Sequence, residues 1–494
     1  VYLSLSNGES PSREARDPFW HVFTFLGARY LYDVESGALH RVDDVLSEVV
    51  DLFGTYPPAH IVDLMRDRYD AGQVVSAYRD METMLEQGLL TPISQDAHLM
   101  GNESLVDVPD TESVVSHTRS EDHPLKAVCL HAAHACNLAC SYCFVADAWR
   151  RSPGVSQSKL GDAVLMSPEV GKAAVDLMIR ESGAVKQLEV DFFGGEPLLN
   201  FDSVIQIADY AREAAARVNK NVHVSLTTNA VGITPEIVRY MDQMRFSVIL
   251  SIDGRPETHD RWRRFPDGTG SHARVVAGIS AYLAHTAVRD YYVRGTYTRA
   301  NLDFVSDIAY LLGLGIDRIS MEPVVGSAES EYGIRLTDLS AVRRQYESLV
   351  IEYRDAARSG HPFEFFHFNL GALTGQCHER RLAGCGAGNQ YLAVTPSGDL
   401  YPCHQFVGDS SFRLGNVWSG VTQSEAAHRF RRVGVFEKSQ CRRCWARYLC
   451  SGGCHAAAYK ASGRIDGVDE VACRITKIRL EAALAAYTET SRMG

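Results

Sequence analysis

Ala127-Val128-Cys129-Leu130-His131 leads through Ala132-Ala133-His134-Ala135 into Cys136-Asn137-Leu138-Ala139-Cys140-Ser141-Tyr142-Cys143. An apolar strand pattern thus ends in a C-x3-C-x2-C loop. Three thiolates on so tight a loop can hold three irons of a 4Fe–4S cube and leave the fourth iron open to an outside ligand. A structural zinc site would want four closed ligands, more often in C-x2-C pairs. His131 and His134 keep zinc arguable from this motif alone. The next strand pattern, 188–193, runs into Gly194-Gly195-Glu196-Pro197. Two glycines at the C-terminal end of a strand let a ligand approach the backbone, and Glu196 can pair with an ammonium group.

Working outward, strand patterns at 127–131, 188–193, 223–228, 246–252, 291–297 and 318–324 alternate with helical ones. Ser167-Pro168 and Thr234-Pro235 each supply a capping oxygen followed by proline at the first helical position. Repeated βα units imply parallel strands with right-handed crossovers. Six units rather than eight predict an α/β fold with an open, partial (β/α)6 barrel over residues 124–330. Before it, residues 17–95 read as three short strands and three helices, a winged-helix-like unit. Residues 96–123 form an acidic linker, with seven Asp or Glu against one Arg. A connecting helix lies in 331–362. Residues 363–494 are Gly- and Cys-rich and close with a helix over 475–488. The weak apolar content of this last block suggests stabilisation by something other than a hydrophobic core.

Composition narrows the function classes. The 494 residues carry 50 basic and 61 acidic side chains, a net charge of −11. Nucleic-acid binding depends on clustered Lys and Arg, so an acidic chain without a basic run argues against it. No run of 18 apolar residues exists, which argues against a membrane span. The first sixteen residues lack the charged-then-apolar pattern of a secretion signal, so a cytoplasmic location is expected. Twelve cysteines in a reducing compartment read as metal ligands or reactive thiols rather than disulfides. They fall into two regions. Four lie at 129–143 and eight at 377–473. Cys129 has no motif partner and reads as a core residue. The eight are Cys377, Cys385, Cys403, Cys441, Cys444, Cys450, Cys454 and Cys473, enough for two four-thiolate sites of either iron–sulfur or zinc type.

With C-x3-C-x2-C and Gly-Gly-Glu-Pro one strand apart, the chain resembles the radical S-adenosylmethionine (SAM) superfamily. The resemblance implies that the open iron binds SAM and that Gly194, Gly195 and Glu196 contact its methionyl amine. It places Tyr142 by the adenine, Ser251 and Asp253 at the ribose, and Arg294 at the carboxylate. The later cysteines resemble the auxiliary-cluster (SPASM) extension of radical SAM peptide-modifying enzymes, implying three 4Fe–4S clusters in all. On that pattern Cys385, Cys403 and Cys454, with Cys377, hold the first auxiliary cluster. Cys441, Cys444, Cys450 and Cys473 hold the second.

The first block resembles the peptide-recognition element of maturases of ribosomally made peptides, where an extended leader adds as a strand. Longer stretches are similar to thioether-forming maturases: His21-Val22-Phe23, Asp33-Val34-Glu35-Ser36-Gly37, Val190-Asp191-Phe192-Phe193-Gly194-Gly195-Glu196-Pro197, Tyr291-Tyr292-Val293-Arg294-Gly295-Thr296 and Tyr401-Pro402-Cys403-His404-Gln405-Phe406-Val407-Gly408. One such group matures six-cysteine peptides. Another matures the small γ subunit of quinohemoprotein amine dehydrogenase, joining Cys sulfur to Asp and Glu methylenes. A ratio of 42 Arg to 8 Lys, typical of GC-rich coding, favours the second. The implied partners are a small Cys-rich protein or precursor peptide, bound through the first block, and a flavodoxin- or ferredoxin-like electron donor. The chemistry needs a thiolate and hence a base. Asp409 is the first candidate and His404 the second. Other chemistries remain open alternatives, formylglycine formation in sulfatases, Cα cross-linking or a non-enzymatic electron-transfer protein. The linker also leads to the expectation that the first block is separable from SAM cleavage.

Overall fold

The structure is a computed structural model that describes residues 19–92, 124–145, 164–326, 328–370 and 378–490. The acidic linker and Cys377 lie outside the described residues. Two sheets organise the chain. The first joins β1 (Trp20–Phe25), β2 (Ala28–Asp33) and β3 (Leu39–Val42) in an antiparallel meander, followed by helices Asp44–Leu52, Pro58–Met65 and Ala71–Glu86. Asp43 and Asp70 cap two of these helices, Asp70 through a reciprocal capping box with Gln73.

The second sheet holds the six expected parallel strands: β4 (Ala127–His134), then, after the short β5 (Val164–Leu165) that pairs antiparallel with it, β6 (Gln187–Gly194), β7 (Asn221–Thr228), β8 (Ser247–Ser251), β9 (Tyr291–Tyr297) and β10 (Arg318–Pro323). Both sequence-marked helix starts are present, with Ser167 accepting from the amide of Val170 and Thr234 from that of Ile237. The alternation along these strands is asymmetric. Val190, Phe192, Val248, Leu250 and Val293 are fully buried against the surrounding helices. Asp191, Phe193, Ile249, Ser251, Tyr292 and Thr296, on the other face, are only half-buried. The inner face therefore lines an open lumen rather than a packed core.

Parallel pairing continues beyond the six. β11 (Glu364–Phe365) extends the sheet past β10, and β12 (Tyr391–Val394) pairs in parallel with β4. The antiparallel β13 (Asp399–Tyr401), β14 (Gly415–Asn416) and β15 (Gly420–Val421) follow. The Cys-rich block is thus stitched onto the barrel beside the strand that carries the C-x3-C-x2-C loop.

Three expectations are corrected. The Cys-rich block does have an apolar core: Phe406, Phe412, Phe430 and Tyr459 pack edge to face around Ala393, Tyr401 and Ile465. Cys129 is buried within that cluster, as a core residue should be. The N-terminal unit is also not an independent module. Its helices close their own small core around Leu31, Ile61 and Met81. The other sheet face, Phe23, Phe25, Tyr30 and Tyr32, joins the main core with Trp445, Leu449 and Leu480. Removing the unit would bare that surface, so separability is not expected from this packing. The closing helix begins earlier than the pattern suggested, at Glu470, and runs to Thr490, which puts Cys473 in its first turn. No helix among the described residues is long and apolar enough to cross a membrane.

Candidate active site

The C-x3-C-x2-C loop leaves the C-terminal end of β4 and is fixed by backbone bonds. The amide of Ala139 donates to the carbonyl of Arg264 (2.7 Å), and that of Ser141 to the carbonyl of Trp262 (2.9 Å). Next to it, the turn after β6 is laced to the same loop: Gly195 N–H donates to Ala133 (2.8 Å) and Glu196 N–H to Ala135 (2.9 Å). Gly194 has φ of +111°, and a Cβ there would stand 2.6 Å from the Ala133 carbonyl oxygen. Only glycine fits a turn so close to the neighbouring strand.

Cys136, Cys140 and Cys143 are all half-buried. Burial pushes the Cys136 thiol well up, with Glu196 and Cys140 adding to the effect. Burial likewise raises Cys140 to about 11, against the opposing charge of Arg263. Thiols held this way ionise when a metal supplies positive charge. The amide of Leu138 (3.4 Å) and Nδ2 of Asn229 (3.7 Å) donate to the Cys136 sulfur. Glu196 is buried, and its carboxylate accepts from Thr228 Oγ1 (2.7 Å), Asn229 N (2.8 Å) and Leu198 N (3.0 Å). Burial still raises its carboxyl, opposed by those three donors.

The other expected SAM contacts divide. Tyr142 donates to Asp253 Oδ2 (2.5 Å), and Asp253 also accepts from the amide of Thr296 (3.0 Å). Asp253 thus orients Tyr142 from below. Ser251 ends β8, in register with Arg294 of β9. Arg294 itself is 46% exposed and pairs with Glu322 at 3.3 Å. Arg263 is the residue that sequence reasoning missed. It is buried, donates to Tyr142 Oη and to the Ser251 carbonyl (both 3.3 Å), and has an Nε with no partner among the described residues. Burial works against its charge, but Tyr142, Cys140 and Asp253 outweigh burial and hold the guanidinium protonated. The three consecutive positions Arg261, Trp262 and Arg263 just after Asp253 were the available signal, but nothing in their spacing says which arginine turns inward.

In the Cys-rich block two cysteine groups separate. The cysteines acting on Cys403 are Cys385 and Cys454, and those acting on Cys450 are Cys473, Cys444 and Cys441, with Arg479 opposing them. Burial is the larger influence in both cases, raising Cys450 to about 11. Ser451, Gly452 and Gly453 all take positive φ, and this sharp turn sends Cys450 and Cys454 to different groups. Cys454 caps the helix His455–Ser462, its sulfur accepting from the amide of Ala457. Grouped thiolates are the ordinary ligands of iron–sulfur clusters, and the cysteine groups present fit that donor chemistry.

The two candidate bases differ in placement. Asp409 is exposed and caps the short turn Ser410–Phe412, accepting from the amide (3.1 Å) and hydroxyl (2.6 Å) of Ser411. Its carboxylate thus serves as the cap of this turn. His404 lies between the two halves of the site. It stacks on Phe193 (5.0 Å) and packs on Phe144 (5.3 Å), the residues before Gly194 and after Cys143, and Nδ1 meets Tyr391 Oη at 3.2 Å. Burial, with Arg294 and Lys460, lowers it to about 4, so the ring is neutral near pH 7.

A lumen residue with no sequence signal, Asp191, accepts from Ser225 Oγ (2.9 Å). Burial pushes it up to about 6, against the hydrogen bonds of Ser225 and Cys129. Because the folded-state value is raised, the stability it permits is present below about pH 4 and lost as pH rises through about 6. Asp191→Asn is therefore expected to stabilise the chain at pH 7.5 by on the order of 2 kcal/mol and hardly at all at pH 4. Denaturant midpoints at the two pH values check this.

Residues 132–287 match the Radical SAM superfamily, and residues 385–445 match SPASM, an iron–sulfur cluster-binding domain. Relatives include the radical SAM cyclopropyl synthase TigE of Paramaledivibacter caminithermalis, 24% identical over 72% of this chain and 73% of that protein. The mycofactocin maturase MftC of Mycolicibacterium smegmatis is 28% identical over 69% and 81%. A serine-type anaerobic sulfatase-maturating enzyme of Bacteroides thetaiotaomicron is 24% identical over 67% and 82%. Among solved structures, anSMEcpe with bound AdoMet superposes with a TM-score of 0.60 at 19% identity, covering 75% of this chain and 99% of that one. Streptococcus suis SuiB bound to precursor peptide SuiA gives 0.51 at 16%, covering 90% and 96%. The chain carries a radical SAM domain followed by a SPASM domain and is homologous to peptide maturases.

Proposed function

We propose that this chain is a radical SAM maturase that forms intra-peptide thioether bonds between Cys sulfur and the Asp or Glu methylene carbons of a small Cys-rich protein. The observation that carries the reading is the position of His404, adjacent to Cys403 and in ring contact with Phe193 and Phe144 of the SAM-side loops. A substrate held there lies between the Cys136–Cys143 loop and the auxiliary cysteines. When bound, SAM and a cluster on Cys136, Cys140 and Cys143 supply a hydrogen-abstracting radical. Gly194, Gly195 and Glu196 would seat the methionyl amine, Tyr142 the adenine, and Ser251 the ribose, with Asp253 fixing Tyr142. Arg263, charged and with a free N–H, takes the carboxylate role first expected of Arg294.

Joining a thiolate to a carbon that has lost a hydrogen atom leaves one surplus electron. Cys385, Cys403 and Cys454, with Cys377, and then Cys441, Cys444, Cys450 and Cys473, would hold the clusters that accept it, for about twelve irons per chain in all. His404, with an unprotonated ring nitrogen between the two cysteine regions, is the candidate acceptor of the thiol proton, and the burial that lowers it to about 4 also makes it a weak base. An external flavodoxin- or ferredoxin-like donor supplies the reducing electron. The edge strand β3, paired only with β2 among the described residues and with His40 meeting the carbonyl of Leu89 at 3.0 Å, offers a strand-addition site for the leader.

The γ subunit of a quinohemoprotein amine dehydrogenase is the favoured substrate on the quoted stretches and the arginine bias. A six-cysteine peptide is the other thioether substrate, and the sulfatase-maturating relative keeps formylglycine formation as the second chemistry. Co-expression with each substrate type, followed by mass spectrometry, separates them. A thioether loses two hydrogens per bond and blocks one thiol, whereas formylglycine is an aldehyde.

A further inference from the structure

The N-terminal unit grips the two segments that carry Cys441, Cys444, Cys450 and Cys473. His21 of β1 stacks on Trp445, the residue after Cys444, with centroids 3.9 Å apart and planes 4° from parallel. The same ring meets Glu481 at 3.1 Å, on the helix whose first turn holds Cys473. Glu35, in the turn between β2 and β3, pairs with Arg447 and accepts from Tyr448 Oη at 3.2 Å. Arg447 is nearly buried and its guanidinium reaches the carbonyl of Cys444 at 3.4 Å. A carboxylate of the N-terminal unit therefore balances the buried cation that touches the loop of this cysteine group.

We propose that Glu35 is a positioning residue for the second auxiliary centre: by neutralising and orienting Arg447, it lowers that centre's reduction potential, so the N-terminal unit is part of the electron-transfer apparatus as well as a candidate peptide binder. The proposal rests on the reading that Cys441, Cys444, Cys450 and Cys473 hold a cluster. The direction follows from charge. Reduction adds an electron, so an uncompensated cation nearby favours the reduced state, and a carboxylate beside it opposes that effect. In a partly buried setting the charges are weakly screened. The turn that presents Glu35 is also rigid, because Asp33 Oδ1 accepts from the amides of Glu35 (2.9 Å) and Ser36 (3.1 Å).

The test uses the full-length, anaerobically reconstituted protein and an EPR-monitored redox titration. Glu35→Gln keeps the shape and removes the charge. It should shift the oxidised-to-reduced ratio of one auxiliary centre about tenfold toward reduced at a fixed potential, which is about 59 mV for one electron. Glu35→Asp, which keeps the charge, should stay near wild type, and Arg447→Gln should shift the same centre in the opposite direction. The Cys136–Cys140–Cys143 centre should not move in any of the three. A wild-type potential in Glu35→Gln, with Cys441→Ala plus Cys444→Ala removing about four irons, overturns the proposal alone. If that double variant keeps all its iron, the cluster assignment fails and the proposal fails with it.

Discussion

Replacing Cys136, Cys140 and Cys143 together by Ala is expected to abolish SAM cleavage and to remove about a third of the iron from anaerobically reconstituted protein. The effect should be total because no other described side chains in the loop offer three thiols at the end of β4. The fold should survive. The loop's anchors are backbone bonds of Ala139 and Ser141, and the barrel strands beneath it are packed by apolar side chains that the substitution leaves alone. The remaining iron should stay with the Cys-rich block, whose cysteine groups share no ligand with the loop. Stoichiometric zinc and little iron in protein kept from oxygen would reject the cluster assignment throughout.

The second large effect separates His404 from Asp409. His404→Gln is expected to keep the clusters and SAM cleavage but to lower cross-linked product by ~10²–10⁴, the usual worth of a general base. Glutamine retains a polar group near Tyr391 but cannot accept a proton at neutral pH. Asp409→Asn should leave cross-linking within a few-fold of wild type, since Asn can still accept from the amide of Ser411 at the cap. Rates of product formation and of 5′-deoxyadenosine release, measured on the same samples, decide between the two. Wild-type cross-linking by His404→Gln, with loss in Asp409→Asn, would reverse the assignment.

Much of this architecture was legible because it is local. Ser167-Pro168 and Thr234-Pro235 carry their own capping oxygens, and the strands that bear the Cys loop and Gly-Gly-Glu-Pro announce themselves by apolar runs ending in special residues. Cysteine spacing likewise places Cys136, Cys140 and Cys143 within a turn or two of one another. What spacing does not encode is contact across the chain. His21 and Trp445 are stacked although hundreds of residues separate them, so the docking of the N-terminal unit had no sequence signature and the acidic linker misleadingly suggested independence. Arg263 was missed for a related reason. Its inward turn is set by the bonds of Trp262 and Arg264 to the Cys loop, and an arginine in a run with Arg261 and Arg264 reads as surface. For Asp409 the spacing shows its nearness in sequence to Cys403 but not the cap it makes on Ser411.

The most direct test of the account is the product itself. A small Cys-rich substrate protein, co-expressed with this chain under anaerobic conditions, should lose two hydrogens for each bond formed and one alkylatable thiol per bond. Tandem mass spectrometry should then place each link between a Cys sulfur and a side-chain methylene of Asp or Glu. An aldehyde at a former Cys or Ser, a link at Cα, or an unchanged peptide despite SAM cleavage would contradict the thioether assignment.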